Sequence, residues 1–565
     1  MNSPYVLIAL QALIMIILSY PLGRYIAKVY KGEKTILDFL NPLEKYIYKI
    51  ASVNSAEDMN WKQFLKVLLT LNLFWFFWGF ILLLWQGALP LNPDQNAGQS
   101  IALAFHTTIS FLVNCNLQHY SGETGLTYFT QLFVVMLFQF TTAATGMAAF
   151  AAMLKAMSEK TTATIGNFWV LFLKSITRIL LPLSLVTGIL LIAGGVPMTF
   201  DGKLSVQTLE GKDQIISQGP VAAIVAIKQL GTNGGGFFAA NSSHPLENPN
   251  VFTNAIECIA ILLIPMALIW AMGFYIKKKK FALCIFGVML LAYLMTVGIA
   301  VHQEINGNPR LEAMGIIQPD GSMEGKEVRI GSVQTAFWAM TTTASSNGSV
   351  NGMHDSLTPV TGMLAMLNMQ TNCWFGGVGV GFMNYYIFII LAVFISGLMV
   401  GRTPEFMGKK IEAREMKIAM IVALLHPFLI LTGTAVASFL AASNPQLKEL
   451  WLNNPSFHGL SEMLYEFTSA AANNGSGFEG LRDNTPFWNI MTAIALIFGR
   501  YIPIIGAVSI AGLLASKRFV PVSAGTLKTD TVTFSIMTFI VIFIIAALAF
   551  FPVLALSPIA EYLTL

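Results

Sequence analysis

Charge is what this sequence has least of. Asp, Glu, Lys and Arg make up 11% of the 565 residues, 55% are hydrophobic and the mean hydropathy is +0.65. Soluble domains carry about a quarter charged residues, so a soluble enzyme or binding module is excluded as the body of the chain, and a polytopic membrane protein is indicated. Cysteine is rare too. The four present (Cys115, Cys258, Cys284, Cys373) lie in or beside apolar runs without a CxxC pair. They read as small core residues, not as disulfides or metal ligands. No GxxxxGK(S/T) loop and no DKTGT-like phosphorylation segment occurs, and the EGKD, EGKE and MGKKI segments do not fit either pattern. Nucleotide chemistry, if any is coupled to this chain, belongs to another chain. Nothing points to a nucleic-acid partner. The apolar stretch 1–21 lacks a basic leader and a small-residue cleavage site, so it reads as a retained helix and not a signal peptide.

What the chain does have is long apolar runs. About ten reach the roughly 20 residues needed to cross a bilayer: 1–23, 67–93, 124–154, 179–200, 258–276, 281–301, 356–401, 418–447, 484–516 (interrupted by Arg500) and 531–558. Between alternate runs lie shorter, semi-polar stretches, 97–113, 218–231, 332–346 and 456–472, which read as re-entrant half-helices. The expected fold is an all-α polytopic membrane protein forming one membrane domain. It has a leading helix (1–30), four pseudo-repeated span–half-helix–turn–span units (64–155, 168–280, 281–412 and 417–518) and a closing helix (529–558).

Each half-helix ends in a turn rich in Gly, Asn, Ser and Thr. The most conspicuous is IKQLGTNGGGFFAAN (227–241). A single glycine run of this kind is compatible with a phosphate loop, a packing contact or a plain turn. Recurrence decides the matter, because similar turns stand at Asn114, Asn233, Asn347 and Asn474, spaced 119, 114 and 127 residues apart. Such regularity marks an internal repeat far longer than a solenoid unit. Non-helical backbone at membrane depth is tolerated only where it is buried or lines a wet cavity, so the four turns are expected to converge on one axis. The half-helices aim their partially negative C-terminal ends at that axis, which favours a cation. No carboxylate falls inside a turn, which argues against a hard divalent ion and for a weakly hydrated monovalent one held by backbone and side-chain oxygens.

Basic residues cluster in alternate connections: Arg24 to Lys49, Lys155 and Lys160, Lys277 to Lys280, Arg402 to Lys417, and Lys517 with Arg518. The positive-inside rule puts these loops in the cytoplasm and the four turns toward the exterior.

Several stretches make the sequence resemble the KdpA family, the potassium-binding subunits of bacterial Kdp potassium-importing P-type ATPases, and more distantly the Trk/Ktr/HKT potassium transporters. They are IKQLGTNGGGFFAANSSHPLENP (227–249), MHDSLTP (353–359), FGGVGVG (375–381), GRTPEFMGKKIEAREMK (401–417), AANNGSGFEGL (471–481) and FGRYIPI (498–504). The resemblance runs essentially end to end. It implies a potassium filter made of Asn114, Cys115, Asn116 and the nearby Gln118, then Thr232, Asn233, Gly234, then Ser346, Asn347, Gly348, then Asn474, Gly475, Ser476. It also implies a gating loop at Gly376, Gly377, Gly379 and Gly381. By the same resemblance potassium is expected to be the transported ion, no nucleotide is expected to bind this chain, and the implied partners are a catalytic P-type ATPase subunit (KdpB-like), a stalk subunit (KdpC-like) and a small one-helix peptide (KdpF-like), beside membrane lipid. The location implied is the bacterial inner membrane. Two places depart from the family: the first turn reads VNCNLQ where TNTNWQ is usual, and Thr371-Asn372-Cys373-Trp374 replaces an acidic LGE-type segment.

On residue type alone, the glycines of 375–381 permit either a helix break or close helix packing, and packing is the commoner reason. Arg500, costly inside an apolar run, either repels cations or pairs with a carboxylate, and pairing is the reading taken. Arg402 is expected at the cytoplasmic boundary, its head snorkelling to water. The Lys277–Lys280 cluster is an orientation signal, with anionic lipid as a second role. Lys228 is open between a helix cap and a limit on ion occupancy. His354-Asp355 and His244 near Glu247 read as loop-fixing hydrogen bonds before metal ligands. Two other functions compete: a Trk/Ktr-like channel gated by a cytosolic nucleotide-binding partner, and an organic-solute transporter, whose inverted repeats the same-way turns argue against.

Overall fold

The computed structural model describes residues 4–399, 401, 403–454, 456–521 and 527–565, so Arg402 lies outside the described residues. Among the described residues, ten helices are long and apolar enough to cross a membrane. The leading helix Pro4–Lys31 carries Pro21 inside it and continues past Arg24 and Lys28. It packs along Val251–Tyr275, where Gly23 lets the backbones approach: a Cβ there would lie 2.6 Å from the Trp270 Cβ. Small residues at helix crossings in lipid serve this purpose. The closing helix Val532–Leu556 packs against Lys279–Asn306 and the helices after the third turn.

Between these ends one element order occurs four times: span, half-helix, turn, span. The half-helices are Ile101–Leu112, Val221–Leu230, Gly331–Ala344 and Phe457–Ala472. Each is too short to cross, and each is walled by the spans on either side of it. Local chemistry sets where the spans begin. Asn60 and Asn250 both form capping boxes, with Gln63 and Thr253, at the starts of Trp61–Trp85 and Val251–Tyr275.

The run 356–401, read from sequence as one span, is two helices, Pro359–Thr371 and Val380–Met399. Asn372 ends the first in a left-handed conformation (φ 46°), and the chain between them is not helical. The glycines of 375–381 therefore mark a break, and the packing reading fails as the sole explanation. Close packing does occur within the break, because a Cβ on Gly381 would overlap the Phe375 carbonyl.

One ion pair fastens the amphipathic connection after the leading helix to the bundle. Arg178 sits in a π-helical turn, Ile176–Leu180, where the extra residue rotates its side chain out of the span's regular spiral. Its guanidinium grips Glu44 with two bonds of 2.7 Å and reaches Asp38 at 2.8 Å and Asn41 at 2.6 Å. Arg178 and Glu44 are both buried. Removing one member of such a pair strands the other's charge. Arg178→Met is expected to lower stability by about 3 kcal/mol, read as an earlier unfolding transition of the detergent-solubilised protein; an unchanged transition would contradict this role.

Candidate functional site

The four turns share one backbone signature. The first and third residues of each have positive φ, while the residue between them does not: Asn114 and Asn116 (61° and 60°), Thr232 and Gly234 (49° and 87°), Ser346 and Gly348 (52° and 89°), Asn473 and Gly475 (52° and 105°). This register differs from the one read from sequence. The equivalent of Asn233, Asn347 and Asn474 is Cys115, not Asn114. The fourth triplet is Asn473-Asn474-Gly475, so Asn473 was missed and Ser476 lies one residue beyond. The signal was present in the sequence: aligning the glycines 234, 348 and 475, instead of the asparagines, gives it.

The turns close into a ring, each against the next. A Cβ on Gly234 would overlap the Asn347 carbonyl oxygen, one on Gly348 the Asn474 carbonyl, and one on Gly475 the Cys115 carbonyl. The fourth contact is reversed in type. Asn116 carries a side chain, and it faces Gly235, whose own Cβ would lie 2.6 Å from that of Asn116. Glycine at 234, 348 and 475 provides both the positive φ and the space, and at 235 the space alone. The third member of the run, Gly236, faces the Glu247 carboxylate instead.

Side-chain amides latch the seams. Asn114 Nδ2 donates to the carbonyls of Gly231 (3.1 Å) and Thr232 (2.8 Å). Asn347 Nδ2 donates to the end of the second half-helix at Lys228 (3.3 Å), and Asn474 Nδ2 to the end of the third at Thr342 (2.8 Å). Asn233 Nδ2 donates to the Gln139 carbonyl at 3.1 Å. Cys115 has no amide to offer. The seam between the fourth and first turns is held by His119, whose ring nitrogens lie 3.0 Å from Glu466 and 2.8 Å from Asn489. Burial opposes a charge on this imidazole, but the Asp483 charge and the Glu466 hydrogen bond outweigh it and raise its pKa to about 9.

The other site residues fall behind the ring. Gln118 clamps Gly236, accepting from its N–H at 3.1 Å and donating to its carbonyl at 3.3 Å. Ser476 Oγ bonds Tyr465 at 2.8 Å and Asn474 Oδ1 at 2.6 Å. Lys228 neither caps a helix nor keeps a free donor. Its ammonium binds Glu247 (2.6 Å), Ser242 (2.8 Å) and Asn241 (2.5 Å), all deep in the protein, and Asn241 in turn donates to the Gly234 carbonyl at 2.7 Å. His244 stacks on Phe238 and His354 bonds Tyr465, as loop-fixing residues do.

The broken span packs against the second and third turns of the ring. Val378 N–H donates to Thr232 Oγ1 (2.9 Å), Gly376 N–H to the Ala344 carbonyl (2.9 Å), and Ser346 Oγ to Asn372 Oδ1 (2.8 Å). A Cβ on Gly379 would overlap the Gly146 carbonyl, and one on Gly377 would lie 3.7 Å from Arg500 Nη1. Arg500 is buried without a carboxylate partner among the described residues, and its Nη2 makes no hydrogen bond. The pairing expected from sequence is thus corrected: no acidic side chain is placed beside it, and it stands against the broken segment. Beside the break lies a small cavity of about 50 Å³, lined by Gln370, Asn372, Asn384 and His426 among others.

Half-helices that end in a ring of uncharged, oxygen-bearing turns define a pore-loop membrane protein. Among solved structures, the potassium transporter TrkH of Vibrio parahaemolyticus shares the fold, with a TM-score of 0.51 at 13% identity over 89% of this chain and 98% of that one. Residues 9–563 match the family model described as KdpA, potassium-transporting ATPase A subunit, and the chain belongs to that family. Its relatives include the potassium-transporting ATPase potassium-binding subunits of Phocaeicola vulgatus (66% identical, 100% of both chains), Flavobacterium johnsoniae (60%, 98% of both) and Geobacillus kaustophilus (46%, 100% of this chain and 99% of the relative).

The buried ammonium behind the second turn gives a test of how that turn is held. Lys228→Met leaves the Glu247 carboxylate buried and unpaired, and a loss of about 3 kcal/mol or more is expected. The double variant Lys228→Met/Glu247→Leu should recover part of it, as measured by unfolding of the purified protein. A double variant as unstable as the sum of two single losses would show that the pair does not act as a unit.

Proposed function

We propose that this chain binds potassium within the ring of turns and passes it to a P-type ATPase partner for ATP-driven uptake. The observation that carries the reading is the closed ring itself: four turns of one backbone geometry, free of carboxylates, each at the C-terminal end of a half-helix. Oxygens from such a ring replace the hydration shell of a monovalent cation, and the half-helix ends add partial negative charge without a fixed anion. The four units of the ring correspond to 64–155, 168–280, 281–412 and 417–518.

The broken span is the gate. Its contacts with Thr232, Ser346 and Ala344 support a position of Gly376 to Gly381 across the exit of the ring, and in this reading the unpaired Arg500 charge opposes onward passage of a cation along the same axis. The small cavity beside Asn372 gives the ion a lateral way out, toward a partner. The basic connections lie in the cytoplasm and the ring opens to the exterior, in the bacterial inner membrane.

This chain is the non-hydrolysing subunit, and its relatives' names, as subunits of a potassium-transporting ATPase, support the assignment of hydrolysis to another chain. The partners are a catalytic KdpB-like subunit, a KdpC-like stalk subunit and a KdpF-like single-helix peptide.

Growth of a potassium-uptake-deficient bacterium at micromolar potassium tests the reading, with the chain expressed alone or with its operon partners. Rescue is expected only with partners. Gly234→Asp, which drives a side chain into the Asn347 carbonyl, is expected to abolish it. Rescue by the chain alone would support an autonomous Trk-like channel instead, and rescue unaffected by Gly234→Asp would remove potassium from the ring.

A further inference from the structure

On the half-helix side of the protein, away from the ring, three elements meet at a second polar cluster. They are the turn His354–Ser356, the first turns of the half-helix Phe457–Ala472, and the C-terminal helix Pro558–Thr564. We propose that Asp355, His458 and Glu462 form a binding site for a divalent transition-metal ion such as zinc.

The donor atoms are already gathered. One from each of the three residues lies within 4.8 Å of the other two. His458 Nε2 stands 3.0 Å from Asp355 Oδ1, close to the separation of about 3.3 Å between neighbouring ligands in a tetrahedral zinc site with bonds near 2.0 Å. The supporting shell is also in place. Glu561 Oε1 accepts from the other ring nitrogen, His458 Nδ1, at 2.8 Å, which directs the Nε2 lone pair into the cluster in the manner of a carboxylate–histidine–metal relay. Asn454 Nδ2 donates to Asp355 Oδ2 and Glu462 Oε1, both at 3.2 Å, holding the two carboxylates side by side. They converge over Gly480, where a Cβ would lie 2.6 Å from Asp355 Oδ2 and in similar contact with Glu462 Oε1.

A second, independent observation points to a ligand. Glu462 is fully buried, its Oε2 makes no hydrogen bond, and it forms no salt bridge among the described residues, the neighbouring His458 being paired instead with Asp355 and Glu561. A buried carboxylate in that condition is costly unless a cation joins it. Next to the cluster is a cavity of about 360 Å³, lined by Asp355, Asn454, His458 and Glu561, which supplies both an entry path and room for a water as fourth ligand. One imidazole with two carboxylates suits zinc or its neighbours better than calcium or magnesium, which prefer oxygen alone. A bound ion would tie the C-terminal helix and the segment after the third turn to the fourth half-helix.

Metal content decides the proposal. The intact complex, purified without a polyhistidine tag, is equilibrated with zinc and then freed of excess. About one zinc per chain is expected to remain, with cobalt(II) giving the visible bands of a tetrahedral nitrogen/oxygen site. Glu462→Gln and His458→Gln should lose the ion, and Glu561→Gln should bind it roughly tenfold more weakly. Glu462→Gln keeps the side chain's shape, and its metal-free unfolding transition is expected at or above that of the wild type. Wild type that retains no zinc, or zinc that stays in both ligand variants, overturns the proposal. Neither outcome bears on potassium-dependent growth.

Discussion

Main chain pressed against main chain is the contact on which the rest of the structure depends. At three of the four seams a carbonyl oxygen of one turn occupies the place of a missing side chain on the next, and at the fourth the side chain and its absence are exchanged between Asn116 and Gly235. Such proximity leaves no room for sorting by side-chain size, so the opening of the ring is set by backbone geometry. It also dictates the surroundings. Peptide groups this far from water need their hydrogen bonds met internally, which is why the ring is enclosed by asparagine amides, by Gln118 and Gln139, and by the Asn241–Lys228–Glu247 cluster.

Charges inside this protein divide into two kinds. Lys228 with Glu247, Lys326 with Glu304 and Arg178 with Glu44 are buried pairs, and they fix loops and turns to the bundle. Others, Arg500 and Glu462 among them, are buried and form no salt bridge among the described residues. Burial of an isolated charge is expensive enough that it persists where it serves a purpose. Arg500 stands at the broken helix and Glu462 in the cluster on the half-helix side.

Most of the fold was legible in the sequence because lipid permits so few alternatives. Long apolar runs located the ten spanning helices found among the described residues, and the short semi-polar runs located the half-helices to within a few residues. Site detail was less legible. Spacing counted on asparagine put Asn114 in register with Asn233, whereas the pattern of positive φ puts Cys115 there, because only main-chain geometry, not residue type, is common to all four turns. The apolar length of 356–401 concealed its break, since Phe375, Val378 and Val380 are as hydrophobic as any span while the hydrogen bonds that end the helices go to distant residues. Arg500 looked like half of an ion pair because sequence shows the cost of a buried charge and not its neighbours. Asp355 was seen, but His458 and Glu462, about a hundred residues further on, have no spacing that announces a shared site.

The three glycines at 234–236 differ in what opposes them, and that difference governs how the chain can change. Gly234 meets a carbonyl oxygen of the backbone, and no substitution elsewhere shortens a backbone. A lesion at this position therefore has no second-site suppressor among side chains. Gly236 meets the Glu247 carboxylate, so a shorter residue at 247 makes space for it, at the expense of the partner of Lys228. Gly235 meets a side chain whose removal, at Asn116, disturbs no ion pair. One run of identical residues thus holds an absolute constraint, a conditional one and a negotiable one, and genetic reversion would rank them in that order.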